Sequence, residues 1–272
     1  AGGGLRAKSG REEFERVHLP GAQFVDLDRD LASPPQQGRP GRHPLPGPRT
    51  FAARMGELGI GSRNFVVAYD DAGGGVAARL WWMLDDLGHD RVAVLDGGLG
   101  AWTDAGLPVT AEPTAQPPAR LELRDRWTKV VDREALRRRL GRVTLLDARA
   151  PERYRGEVEP IDPAAGHIPT AICAPLVGSL GPDGRFLAPD RLAERFRALG
   201  AGPRAGTGAS ADDGLRDVVT SCGSGTNACQ NALAMRVAGL PDPLLYPGSF
   251  SDWSRSGLPV ATGPEPGGTP AT

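Results

Sequence analysis

One thiol in this chain sits where sulfur is easily made reactive. Val218-Val219-Thr220-Ser221 is a short β-prone run that ends in Cys222, and Gly223-Ser224-Gly225-Thr226-Asn227 leads straight into the Ala/Leu/Met-rich stretch from Ala228 to Met235. The pattern predicts a strand, a tight loop and then a helix. It places the sulfur at the positive end of that helix, among backbone N–H groups that no bulky side chain screens. A cysteine so placed is expected to be held as a thiolate and to act as a nucleophile at neutral pH. Gly223, Ser224, Gly225, Thr226 and Asn227 are expected to turn N–H groups onto the sulfur in the manner of an oxyanion hole. The Ser224 hydroxyl is also placed to relay a proton. Cys229 lies two helical turns further on, beyond disulfide reach, and Cys173 reads as a core residue.

The rest of the composition narrows the classes of partner. A length of 272 residues suits one large domain or two of ordinary size. A formal net charge of -1 leaves no broad basic field for nucleic acid or an anionic membrane surface. No apolar run approaches the ~20 residues of a membrane span. Three cysteines without framework spacing argue against a disulfide-stapled secreted fold, so a cytoplasmic location is expected. The histidines and cysteines never cluster at ligand spacing, and neither a P-loop nor a dinucleotide fingerprint is present, so neither metal nor cofactor is expected. Ala1-Gly2-Gly3-Gly4 reads as the interior of a loop, so the native N-terminus and a first strand are expected to lie outside this sequence.

The elements that must position the thiol occur twice. His18-Leu19-Pro20-Gly21-Ala22 returns as His167-Ile168-Pro169-Thr170-Ala171, and Gly106-Leu107-Pro108-Val109 returns as Gly257-Leu258-Pro259-Val260. Between these marks, Leu95 to Trp102 corresponds to Leu245 to Trp253 in the same order. Two homologous domains are therefore expected, 1–111 and 127–272, joined by a linker over 112–126 whose start is rich in proline. Within each half, short apolar strands (Phe65 to Tyr69, Val143 to Asp147, Val218 to Thr220, Leu244 to Tyr246) alternate with helices (Val76 to Leu87, Asp190 to Leu199, Asn227 to Val237). The Asp190 helix is expected to be capped by that aspartate and ended by Gly200. This is the pattern of an α/β fold, in which mainly parallel sheets carry helices on both faces. Reactive groups in such sheets lie beyond the carboxyl ends of the strands, where Cys222 falls.

Aligning the halves sets Asp70 opposite Cys222, so the first domain keeps the small-residue loop and lacks the thiol. An aspartate at a helix start is a good cap, and that domain is expected to be a non-reactive wall of the site. The second half carries extra Gly/Ala/Asp-rich residues between Ala201 and Asp217, expected to be a solvated surface loop.

These marks together resemble the tandem-domain rhodanese sulfurtransferases. The resemblance rests on Cys222-Gly223-Ser224-Gly225 after a Val-Val strand, Asp147-Ala148-Arg149, Arg153-Tyr154-Arg155-Gly156, Gly166-His167-Ile168-Pro169 and Tyr246-Pro247-Gly248-Ser249. In the first half it rests on His18 to Ala22, Gly41-Arg42-His43-Pro44-Leu45-Pro46 and Ala77 to Trp82. It implies two rhodanese-like domains and an enzyme that carries sulfur as a persulfide on Cys222. The implied donor is 3-mercaptopyruvate or thiosulfate, and the implied acceptor is cyanide or a thiol such as thioredoxin or glutathione. Gly223-Ser224 resembles the mercaptopyruvate type, since thiosulfate-preferring members carry basic residues there. Arg153 matches the family arginine that holds the donor's anionic group. Asp162 stands where a second arginine of that grip is expected. Asp28, His43 and Ser224 resemble an acid–imidazole–hydroxyl relay, which would need both domains at one site. The competing reading of His43 is a histidine that only braces the contact between the halves. Arg149, His18 and His167 are expected to be structural.

Two other functions compete. A Cys-x5-Arg phosphatase would need an arginine where Ala228 stands, so its phosphate would lack a clamp. A persulfide carrier that accepts sulfur only from a partner protein remains open, because of Asp162 and the extra loop.

Overall fold

Repeated words in the sequence become repeated hydrogen bonds in space. The computed structural model describes residues 10–34, 41–202 and 218–270. In the first half His18 stacks on Phe14 at 4.1 Å and meets the Phe14 carbonyl at 2.7 Å. In the second half His167 stacks on Tyr154 at 3.8 Å and meets the Tyr154 carbonyl at 2.8 Å. Trp102 donates to the Pro108 carbonyl at 2.9 Å, and Trp253 donates to that of Pro259 at 2.8 Å. Both histidines and both tryptophans thus fasten the same corner of their own half.

The first half runs α1 (Gly10–Arg16), α2 (Leu27–Asp30), α3 (Pro48–Glu57), β1 (Val66–Ala68), α4 (Gly75–Asp86), β2 (Val92–Val94) and α5 (Gly98–Asp104). The second runs α6 (Arg133–Arg139), β3 (Thr144–Asp147), α7 (Pro151–Arg155) and β4 (Ala171–Cys173), then a 3-10 turn (Leu176–Ser179). It continues through α8 (Pro189–Ala198), β5 (Val218–Ser221), α9 (Ala228–Val237), β6 (Leu244–Leu245) and α10 (Ser249–Trp253). Strands β1 and β2 pair in parallel, and the second sheet is parallel throughout in the order β4-β3-β5-β6.

Strand periodicity explains why the second sheet is covered on both faces. Leu145 and Val219 point into a core with Tyr154, Phe250 and Trp253, while Leu146 and Val218 point into another with Leu192, Phe196 and Met235. Each such side chain, fully buried, contributes about 1.5–3 kcal/mol.

Helix α4 is buried nearly all round, including Leu80, Trp81, Trp82, Met83 and Leu84. One apolar cluster therefore spans the halves, joining these residues to Cys222, Cys229, Ala232 and Leu233. Asp85, on α4, pairs with Lys129 at 2.8 Å and with Arg236 of α9 at 2.9 Å, adding an ionic tie across the same boundary.

Two expectations need correction. Helix α8 begins at Pro189, with Ala188 at its N-cap and Asp190 inside the first turn, because proline fixes the entry without needing a side-chain cap. The stretch expected to link the halves, 112–126, packs along the first half. Ala119 donates to the Gly56 carbonyl at 2.9 Å and Arg124 to that of Leu87 at 2.8 Å, while Leu121 is buried. Cys173 is only half-buried, at the end of edge strand β4. The surface loop expected from Ala201 to Asp217 lies, from residue 203 onward, outside the described residues. No helix among the described residues is long and apolar enough to cross a membrane.

Candidate active site

Strand β5 is interior to its sheet and buried along its length, so the chain leaving Ser221 emerges from a rigid base. Cys222 follows at once, with 3% of its surface exposed. Its sulfur accepts the Gly225 N–H at 3.1 Å and the Ser224 N–H at 3.4 Å. No hydrogen bond reaches it from the N–H of Gly223, Thr226 or Asn227, contrary to expectation. The loop reverses at Gly225 with φ +81, and that reversal ends the cradle after two amides. A Cβ on Gly225 would run into the Pro247 carbonyl. Asn227 instead lies against Gly75, where an added Cβ would meet its Oδ1 at 2.6 Å.

The first half repeats the cradle around a different anion. Asp70 Oδ1 accepts from Ala72 at 2.9 Å and Gly74 at 2.8 Å, and Oδ2 accepts from Val76 at 2.9 Å and Ala77 at 3.0 Å. A carboxylate there satisfies the amides that open α4, as a cap does.

The two halves meet at the loop. His43 Nδ1 lies 2.7 Å from Ser224 Oγ and 3.5 Å from Thr226 Oγ1, while its Nε2 lies 3.0 Å from Asp28 Oδ1. Burial pushes the His43 imidazole below its ordinary value of 6.5, the Asp28 carboxylate opposes that shift, and Arg79 and Arg42 reinforce it. Arg79, on α4, is fully buried and donates to the carbonyls of Gly225 at 3.0 Å, His43 at 3.0 Å and Leu31 at 3.2 Å. One guanidinium thereby ties the cysteine loop to the histidine segment.

Arginines surround the loop from outside. Arg149 is committed to Asp147, to the Gly166 carbonyl and to Glu159, and lies over the Phe250 ring at 3.9 Å. Arg153 pairs with Glu159 at 2.7 Å and with Asp162 at 3.5 Å. Its buried Nε has no partner. A Cβ on Gly223 would stand 2.9 Å from Arg42 Nη2 and 3.5 Å from Arg153 Nη1. The cations missing from the loop sequence are therefore supplied by neighbouring segments.

Sequence reasoning missed the segment that backs the loop. Ser249 Oγ accepts the Cys222 N–H at 3.0 Å, Phe250 donates to the Cys222 carbonyl at 2.9 Å and Ser251 to that of Gly223 at 2.9 Å. Ser249 adopts φ +52, unusual for a residue with a side chain. The Tyr246-Pro247-Gly248-Ser249 string was visible, but its contact with residue 222 depends on β5 and β6 lying side by side. Burial raises the thiol of Cys229 to about 12, so it stays protonated at neutral pH. Chemically, the site sets an amide-cradled sulfur next to a separate hydroxyl–imidazole–carboxylate series, with Ser224 belonging to both through its N–H and its Oγ, and guanidinium groups at the rim. That arrangement suits nucleophilic attack by sulfur coupled to proton movement.

Known proteins resemble this chain over most of its length. The rhodanese-like domain family matches residues 8–105 and again 132–256. A probable 3-mercaptopyruvate sulfurtransferase of Pseudomonas aeruginosa is 45% identical over 258 residues, covering 93% of this chain and 87% of that protein. A putative thiosulfate sulfurtransferase of Mycobacterium tuberculosis is 40% identical, covering 92% of this chain and 84% of its own length. Among solved structures, 3-mercaptopyruvate sulfurtransferase from Leishmania major superposes with a TM-score of 0.78 at 28% identity, over 93% of this chain and 68% of that one.

Proposed function

The chain belongs to the rhodanese-like family, and from that premise we propose that it is a sulfurtransferase that loads Cys222 with sulfur from 3-mercaptopyruvate. Thiosulfate is the second donor, and a thiol such as thioredoxin or glutathione, or cyanide, is the acceptor. The observation that carries this reading is that Ser224 gives its N–H to the cradled Cys222 sulfur while its Oγ meets His43, which in turn meets Asp28.

In the proposed reaction the Cys222 thiolate attacks the sulfur of mercaptopyruvate. The donor's C–S bond breaks, and its electron pair leaves as the enolate of pyruvate. The proton on the transferred sulfur moves through Ser224 Oγ and His43 to the enolate carbon, which gives pyruvate and a Cys222 persulfide anion. Asp28 orients the imidazole, and the Ser224 and Gly225 amides stabilise anionic sulfur before and after transfer. Arg153 holds the donor carboxylate. Cyanide or an acceptor thiol then takes the outer sulfur and restores the thiolate.

In this proposal residues 1–111 form a non-reactive domain that lends Asp28 and His43, and residues 127–272 carry the nucleophile. A reducing cytoplasmic compartment suits three free thiols. The test is steady-state turnover of mercaptopyruvate and thiosulfate by purified protein, with intact-mass measurement after donor alone. Wild type gains one sulfur atom, located on the Cys222 peptide, and Cys222→Ser gains none. Sulfur accepted only from a persulfidated protein would replace this reading with that of a carrier.

A further inference from the structure

Helix α4 delivers Arg79 to the backbone of three other segments, with none of its surface exposed. Buried charges are ordinarily paired, because an isolated ion loses its hydration and gains little in return. Arg42, Arg149 and Arg153 follow that rule, pairing with Asp162, Asp147 and Glu159. Arg79 meets no carboxylate among the described residues, and its buried Nε has no partner. Its acceptors are backbone carbonyls alone. Nη2 donates to Leu31, which closes the short helix holding Asp28, and to His43. Nη1 donates to Gly225, whose own N–H lies on the Cys222 sulfur. Every segment that contributes to the hydroxyl–imidazole–carboxylate series is therefore held by one rigid fork.

We infer that Arg79 is a positioning residue for sulfur transfer: it registers the Asp28, His43 and Ser224 segments, and its unpaired charge has the Cys222 sulfur anion as counter-ion. This inference rests on the sulfurtransferase reading above. Burial opposes the charged form of Arg79, and the sulfurs of Cys229 and Cys222 are the groups that favour it. Cys229 stays protonated at neutral pH, so the anion open to Arg79 is Cys222. Arg149 also faces that sulfur, yet its charge is already engaged by Asp147 and Glu159. At His43, burial favours the neutral ring first, Arg79 and Arg42 add to that preference, and Asp28 opposes it. One buried charge thus supports both forms from which the reaction starts, an anionic sulfur and a neutral imidazole. Lysine would supply the charge from a single nitrogen and could not span three carbonyls.

The experiment uses that difference. Arg79→Lys and Arg79→Met are compared with wild type in two ways. One is mercaptopyruvate turnover across pH. The other is the pH dependence of iodoacetamide alkylation, read by mass on the Cys222 peptide without any donor. In Arg79→Met the alkylation midpoint should rise, alkylation at pH 7 should fall about 10-fold for each unit of that rise, and the acidic limb of kcat should move up toward 6.5. In Arg79→Lys both midpoints should stay near wild type, while kcat falls about 10²-fold with KM little changed, as expected for misplaced reacting groups. A purely structural arginine would leave the alkylation midpoint of the folded fraction unmoved in both variants, and that result would overturn the inference. Wild-type kcat in folded Arg79→Lys would overturn it as well. Should neither variant fold, stability against pH is compared between wild type and Cys222→Ser. An anionic sulfur paired with Arg79 titrates below the free value of about 8.5. The stability advantage of wild type should then grow as pH rises from the folded midpoint toward that value, and a flat difference would overturn the inference. If wild type takes no sulfur from any small donor, the enzyme reading fails, whereas the alkylation comparison still decides whether Arg79 acts on the sulfur.

Discussion

His43 Nδ1 and Ser224 Oγ are 2.7 Å apart, although they belong to opposite halves of the chain. The imidazole accepts a proton only when neutral, and burial holds its pKa below 6.5. The acidic limb of the kcat profile is therefore expected below pH 6.5. Asp28 raises the His43 pKa, so Asp28→Asn should move that limb further to acid while lowering the plateau. His43→Gln should reduce kcat about 10²–10⁴-fold, the usual range for a lost general acid–base group. A histidine that merely braces the halves would leave the limb where it is in Asp28→Asn. Linkage has the same sign. The folded state binds fewer protons at His43 than the unfolded state does, so stability falls as pH drops through 6.5 toward the folded value.

The backing of the nucleophile makes a separate prediction. Ser249 Oγ is the partner of the buried Cys222 N–H, and it is itself a donor to the Tyr246 carbonyl at 2.9 Å. Ser249→Ala removes both bonds and leaves an amide unsatisfied beneath the reactive sulfur. The expected cost is about 1–3 kcal/mol in chemical denaturation, from the desolvated donor alone. Turnover per folded molecule should also fall, because residue 222 loses a fixed point of its backbone. Unaltered stability would show that the pocket rearranges to serve that amide.

Much of this is legible in the sequence alone. The strand–loop–helix around Cys222, the duplicated histidine and tryptophan corners, and the absence of the thiol at Asp70 follow from local pattern and repetition. What stayed hidden depends on contacts between distant segments. Nothing near Arg42 in sequence announces that it will meet Asp162, and nothing near Arg79 announces that it will bind the Gly225 carbonyl. The count of amides on the sulfur was also beyond reach, since it depends on the residue at which the loop reverses. The cap expected at Asp190 gives way because aspartate and proline compete as start signals, and Pro189 wins when φ is already fixed.

The unreactive cradle offers the cleanest separation of fold from chemistry. Asp70 gathers two N–H groups of its own loop and two from the first turn of α4, the helix whose other faces carry Arg79 and the apolar contact with α9. Asp70→Ala should cost about 0.5–2 kcal/mol, the range for a lost N-terminal cap. Asp70→Asn keeps oxygen acceptors on one side only and should lose less. Neither change touches the sulfur, the relay or the arginines around Gly223. Donor turnover by the folded fraction should therefore match wild type well below the melting temperature. If Asp70→Ala instead abolished persulfide formation in fully folded protein, the first domain's loop would be acting in the reaction rather than supporting its wall.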